Sequence, residues 1–142
     1  MVLNADGTLK SSTNITSGTN GLPVLPGSTY FGASITSLGD LDGDGVPDLV
    51  VGDYGDETGS RGMGAVYVLF MNADATVKSS TKFTNFHAGE PGDYMGWGWA
   101  LASLGDLDGD GISDLALGAP DEITDDDNEM LGAVYVLFMN AH

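Results

Sequence analysis

Two short stretches of this chain concentrate oxygen donors in a pattern that can hold a metal ion. Residues 40–48 read DLDGDGVPD and residues 106–114 read DLDGDGISD. Each sets carboxylates at loop positions 1, 3, 5 and 9: Asp40, Asp42, Asp44 and Asp48, then Asp106, Asp108, Asp110 and Asp114. On a tight loop alternate carboxylates turn inward, and Gly45 or Gly111 at position 6 permits the bend. The position 7 carbonyl, Val46 or Ile112, can complete the shell. Hard oxygen donors in this number suit Ca²⁺, which accepts about six to eight at ~2.3–2.6 Å, better than the stricter octahedron of Mg²⁺. Zn²⁺ prefers His or Cys, and neither is near. The expectation is two Ca²⁺ per chain, one on each set.

A helix–loop–helix calcium hand shares the first six loop positions but needs a bidentate Glu at position 12 and flanking helices. Position 12 here is Val51 and Leu117, inside apolar runs that read as strands. The loop is therefore expected to bridge two strands, with Asp48 or Asp114 closing it. The alternative is a pair of Asp/Gly-rich turns with solvated charges; four acids so close repel one another unless a cation is present. Enzymatic chemistry has little to work with. The chain has no Cys, and His87, Lys78, Lys82 and Arg61 form no recognisable acid–base or nucleophile set. No catalytic residue is expected.

The elements that position these loops come from a repeat. Residues 64–73 and 132–141 both read GAVYVLFMNA, and residues 37–45 and 103–111 both read SLGDLDGDG. Residues 4–13 (NADGTLKSST) match 72–81 (NADATVKSST) at eight of ten positions. Constant blocks joined by loops of adjustable length mark a repeated structural unit. The units divide as 1–71 and 72–142. Each reads as four short strands, in the first unit Thr8–Ile15, Gly32–Leu38, Asp48–Val51 and Ala65–Met71. No stretch has sustained helical periodicity, although a helical turn within 121–131 stays open.

The chain has 142 residues, 22 of them Gly, and a formal net charge of -17. That charge excludes nucleic-acid binding through phosphates and argues against an anionic membrane surface. No apolar run approaches the ~20 residues of a transmembrane helix, and no signal peptide is legible. At 42% hydrophobic residues the chain is too apolar to be disordered.

Phe31-Gly32, the DLDGDGVPDL run and Val51-Gly52-Asp53, with Trp97-Gly98, DLDGDGISDL and Gly118-Ala119-Pro120 in the second unit, resemble FG-GAP repeats of the integrin α-subunit β-propeller. Trp97 for Phe, and Asp53-Tyr54 for Ala-Pro, depart from the pattern. The resemblance implies an all-β fold of two four-stranded antiparallel blades, with calcium loops joining the first and second strands on one face of a ring. It also implies partners on the opposite face, on loops 16–30, 53–63, 83–96 and 119–131. These loops carry Tyr30, Tyr54, Phe86, His87, Tyr94 and the acidic run 125–127. Tyr30, Tyr94 and Trp97 are read as wedges between blades, and Trp97 and Trp99 as pointing to one side of a strand.

Two blades cannot close a ring. If each opening strand pairs with the preceding Ala–Met strand, the first and last strands of one chain lack partners, and a second copy can supply both. A head-to-tail contact of that kind gives rings when the rotation closes. A homotrimer of six blades is the first expectation and a tetramer of eight the second. The function read from the sequence is a calcium-binding module with a structural or adhesion-type role at an extracellular or cell-surface site, of bacterial type. A glycan-binding module, with Trp97, Trp99 and Tyr54 stacking on sugar, is the runner-up; a fragment of a propeller enzyme is the third.

Overall fold

The computed structural model describes residues 2–26, 30–58, 64–84, 96–124 and 129–140. Its strands are β1 (Val2–Leu3), β2 (Leu9–Ser11), β3 (Ser34–Gly39), β4 (Asp48–Asp53), β5 (Ala65–Met71), β6 (Val77–Thr84), β7 (Ala100–Gly105), β8 (Asp114–Ala119), β9 (Ile123–Thr124), β10 (Glu129–Met130) and β11 (Ala133–Leu137). There is no helix among the described residues, and none is long and apolar enough to cross a membrane.

The first sheet is an antiparallel meander in the order β3-β4-β5-β6. Valines and aromatics fill its centre, where β-branched side chains pack well on a pleated surface. All of β5 is buried. The β5–β6 turn closes with the Ala75 N–H donating to the Asn72 carbonyl at 2.9 Å and the Thr76 N–H to Asp74 at 3.0 Å. Ala75 adopts φ 65° there; the first unit has Gly7, φ 83°, at the matching position, where a left-handed backbone is unstrained.

The second sheet repeats the meander as β7-β8-β11 but has three strands among the described residues, not the expected four. The reason lies in connectivity. The first sheet takes its outer strand from the opening segment of the second sequence unit: β6 pairs with β5 and closes it. The first sheet consequently runs across position 71. Residues 8–15 also depart from expectation. Only Leu9–Ser11 is strand, and it pairs with Val2–Leu3 in a small hairpin. Beyond it Ile15, Leu22 and Leu25 pack over the first sheet.

The sheets stack face to face. Val50, Val66, Val68 and Phe70 of the first sheet meet Leu115, Leu117 and Ala119 of the second, with Tyr135 and Leu137 packed against them. Val51, Tyr67, Leu69 and Met71 point from the first sheet's other face into a separate cluster with Leu22 and Leu25. Where the second sheet begins, backbones approach very closely. A Cβ at Gly52 would lie 2.0 Å from the Gly98 carbonyl oxygen, and one at Gly98 2.5 Å from that of Ala65. At Gly52 side chains are excluded by space alone, and at Gly98 by space and backbone conformation together. Ser34 Oγ donates to the Gly98 carbonyl at 2.7 Å across the same junction.

Gly98, at φ 86°, also turns the chain between the two tryptophans. They do not share a strand side as expected. Trp97 is buried between the sheets, where its ring lies 5.0 Å from that of Tyr135, and Trp99 is exposed.

Candidate metal centres

The two aspartate loops connect β3 to β4 and β7 to β8, so both lie at the same end of their sheets. Each is built by its first and last acids. Asp40 organises the turn: its Oδ1 accepts from the Gly43 N–H at 2.7 Å and the Asp44 N–H at 3.0 Å, and its Oδ2 from the Gly45 N–H at 2.7 Å. Asp106 does the same for Gly109, Asp110 and Gly111. Asp48, fully buried, bolts the loop to the sheet. Its Oδ2 accepts from the Leu41 N–H at 2.8 Å and its Oδ1 from the Met71 N–H at 2.9 Å, at the end of β5. Asp114 makes the equivalent bonds to Leu107 at 2.8 Å and Met139 at 3.0 Å. Buried carboxylates survive because each oxygen meets a donor.

The carboxylates converge. Asp40, Asp42 and Asp48 each offer an oxygen within 4.8 Å of the others, and so do Asp106, Asp108 and Asp114. Asp42 Oδ1 is buried with no hydrogen-bond partner. Asp44 and Asp110 stand outside these triads. Each turns an oxygen onto the backbone N–H two residues on, of Val46 or Ile112, at 2.8 Å. Val46 and Ile112 pack their side chains against the two cores. Three hard carboxylates per loop, with an orphaned buried oxygen in the first, fit a hard divalent cation.

The first loop has a cation of its own that the sequence reading did not assign to it. Lys78, on β6, places Nζ 2.6 Å from Asp42 and also pairs with Asp44. This contact holds the Asp44 carboxyl below its ordinary range, with help from the Val46 N–H. The signal was present in the repeat, since Lys10 and Lys78 occupy matching positions, but only the β5–β6 pairing brings such a lysine over a loop.

The opposite end of the sheets carries the chemistry that sequence reading missed. Tyr67 OH donates to Asp56 Oδ2 at 2.9 Å, and Tyr135 OH donates to the Glu122 carboxylate. The two tyrosines occupy matching positions of the repeat. Burial and Glu122 push the Tyr135 phenol up to about 12. Asp56 is itself buried and also accepts from Lys82 Nζ at 2.6 Å. Burial alone would raise the Asp56 carboxyl, but Lys82, Thr58 and Tyr67 hold it below its ordinary value. Asp53 is different. One oxygen accepts the Tyr30 N–H at 2.7 Å, the other is buried with no partner, and burial raises its carboxyl.

Above this network three aromatics pack together. Tyr30 stacks on Tyr54 at 4.5 Å and 13°, and Tyr54 meets Trp99 at 4.6 Å. Tyr30 is exposed and does not wedge between the sheets as expected. Arg61, Phe86, His87, Tyr94 and the acidic run 125–127 lie outside the described residues.

Fold and site together define an all-β repeat protein: stacked antiparallel meanders, each with a carboxylate-lined loop between its first two strands. The FG-GAP repeat family model matches residues 31–69 and 97–137, and the chain belongs to the FG-GAP repeat family. Among curated relatives, integrin alpha-4 of Xenopus laevis is 37% identical over 112 residues, 76% of this chain. Integrin alpha-3 of Cricetulus griseus is 39% identical over 108 residues, 75% of this chain, and integrin alpha-PS5 of Drosophila melanogaster 34% over 101 residues, 70% of this chain. The chain spans 10%, 9% and 10% of these relatives' own lengths, respectively.

Proposed function

We propose that this chain is a calcium-binding propeller module with a non-enzymatic, adhesion-type role at an extracellular or cell-surface site, assembling head-to-tail into a closed ring, three copies first and four second. The observation that carries the reading is the pair of carboxylate triads. Asp40, Asp42 and Asp48, and Asp106, Asp108 and Asp114, would hold one Ca²⁺ each, with Asp110 and the Val46 and Ile112 carbonyls to complete the shells and Asp44 joining on release of its Lys78 contact. The ion supplies charge neutralisation: two would bring the formal charge from -17 to -13. Asp48 and Asp114 already tie each loop to the far strand, so an ion on the same carboxylates stiffens the link between three strands.

Binding confined to the folded state adds RT ln(1 + [L]/Kd), about 2.7 kcal/mol per site at a hundredfold excess. A chelator should therefore lower the melting temperature, and Asp40→Asn with Asp106→Asn should abolish the calcium-dependent part. Melting that is indifferent to both overturns the calcium reading.

A second reading has one observation in its favour. Tyr54 and Trp99, joined by Tyr30, form an exposed aromatic surface at the end opposite the loops, and such surfaces stack on sugar rings. Trp97 is withdrawn from it by burial. A glycan array probed with and without Ca²⁺ separates a sugar-binding module from a protein-binding one.

A further inference from the structure

We propose that the second sheet is completed by a second copy of this chain, which lays its residues 9–16 along β11 and its first sheet against the exposed face of the second. The proposal rests on the reading of the chain as a propeller module and specifies the joint between copies.

The joint is already drawn once inside the chain. β5 and β11 lie within the identical blocks 64–73 and 132–141. β5 is paired on both edges, by β4 and β6; β11 is paired by β8 alone among the described residues. A bare strand edge is a row of unpaired N–H and C=O groups that templates another strand. The segment that pairs with β5 begins NADATVKSST, and the chain carries a near copy, NADGTLKSST, at 4–13. β6 takes the register Met71↔Val77, Phe70↔Ser79, Val68↔Thr81 and Val66↔Phe83. Carried over, this sets Met139 opposite the partner's Leu9, Phe138 opposite its Ser11, Val136 opposite its Thr13 and Val134 opposite its Ile15.

The faces tell the same story. Val66, Val68 and Phe70 are 0%, 2% and 4% exposed because the second sheet covers them; their counterparts Val134, Val136 and Phe138 are 74%, 45% and 58% exposed. The surface that covers the first set carries Leu115, Leu117, Tyr135 and Leu137. Its equivalent in the first sheet carries Leu49, Val51, Tyr67 and Leu69, which Ile15, Leu22 and Leu25 now pack against. Residues 12–25 must leave that face for the partner to seat. Moving 9–16 onto a neighbour's β11 draws them away, so strand donation and face exposure are one event. Donation also delivers the partner's Lys10, the counterpart of Lys78, to the Asp106–Asp114 loop. That loop has no lysine paired to it among the described residues, whereas its twin has Lys78. The contact is heterologous, so it propagates to a ring or a filament.

The absence of Cys makes the test clean. Thr13→Cys and Val136→Cys are prepared as separate single-cysteine variants, mixed and oxidised or joined with a short bismaleimide. The expected product is a cross-linked dimer in the mixture only, with Asp6→Cys in place of Val136→Cys giving none, because a copy's own residue 6 leaves with its donated strand, away from its β11. Light scattering of the parent chain should give a multiple of 14.6 kDa, falling to one chain in the Val134→Asp, Val136→Asp double variant. Both valines are exposed, so the double variant should keep its calcium-dependent melting. A filament of open-ended mass with the same cross-link also supports the joint. A parent chain of single mass at high concentration, a mass unchanged by the double substitution, or equal cross-linking at Asp6→Cys overturns it. A lone subunit whose melting still falls on chelation would sink this joint and leave the calcium reading standing.

Discussion

At the residue scale the informative contrast is between two buried aspartates a few residues apart. Asp56 is met by Lys82, Tyr67 and Thr58; Asp53 has one donor and one orphaned oxygen. Their pKa values move in opposite directions. A raised carboxyl, as at Asp53, stabilises the fold below its unfolded pKa and loses that contribution as pH rises through the folded value. A lowered one, as at Asp56, stabilises above its unfolded pKa and loses that contribution as pH falls through the folded value. Asp53→Asn should therefore stabilise at pH 7, with the gain gone near pH 3. Asp56→Asn should destabilise at pH 7 and do little at pH 3. Thermal melts of both variants at the two pH values check the signs.

At the element scale the two meanders are held together by backbone contact as much as by side chains. Gly52, Gly64 and Gly98 allow the entry to the second sheet to cross the first; Gly64 and Trp97 bridge in parallel there. Gly52→Ala places a methyl group against a carbonyl with no flexible side chain to yield. The expected loss is about 1–3 kcal/mol, the range for overpacking a well-packed site, read as a shift in urea midpoint with the slope unchanged. Gly43→Ala meets no atom within 4 Å but carries φ 78°, so its cost should be smaller and of backbone origin.

At the scale of the whole molecule the dominant feature is charge imbalance. Only 4 basic residues offset 21 acidic ones, and self-repulsion of that size destabilises the compact state. Raising NaCl from about 10 mM to about 500 mM shortens the screening length from roughly 30 Å to roughly 4 Å. The chelated protein should melt at higher temperature in high salt, and the further gain from Ca²⁺ should shrink. Scans at both salt levels, with and without chelator, separate general screening from site occupancy. A chelated protein whose melting ignores salt would show that the acids are already neutralised in pairs.

The repeat, the all-β class and the aspartate loops were legible in the residues alone, because these rest on local chemistry. Glycine at position 6 of each loop, alternate carboxylates and β-branched runs act over a few residues, so their spacing can be read without a fold. Burial is not local. The same ten residues GAVYVLFMNA are wholly buried from Ala65 to Met71 and half exposed over Ala133–Leu137, since burial depends on what lies alongside. Packing in three dimensions was needed to send Trp97 inward and Trp99 outward, to bring Lys78 to the first aspartate loop, and to set Asp56 and Glu122 each against a tyrosine. Those outcomes need strand register and sheet stacking, which bring together residues distant in the chain and which no short stretch of sequence encodes.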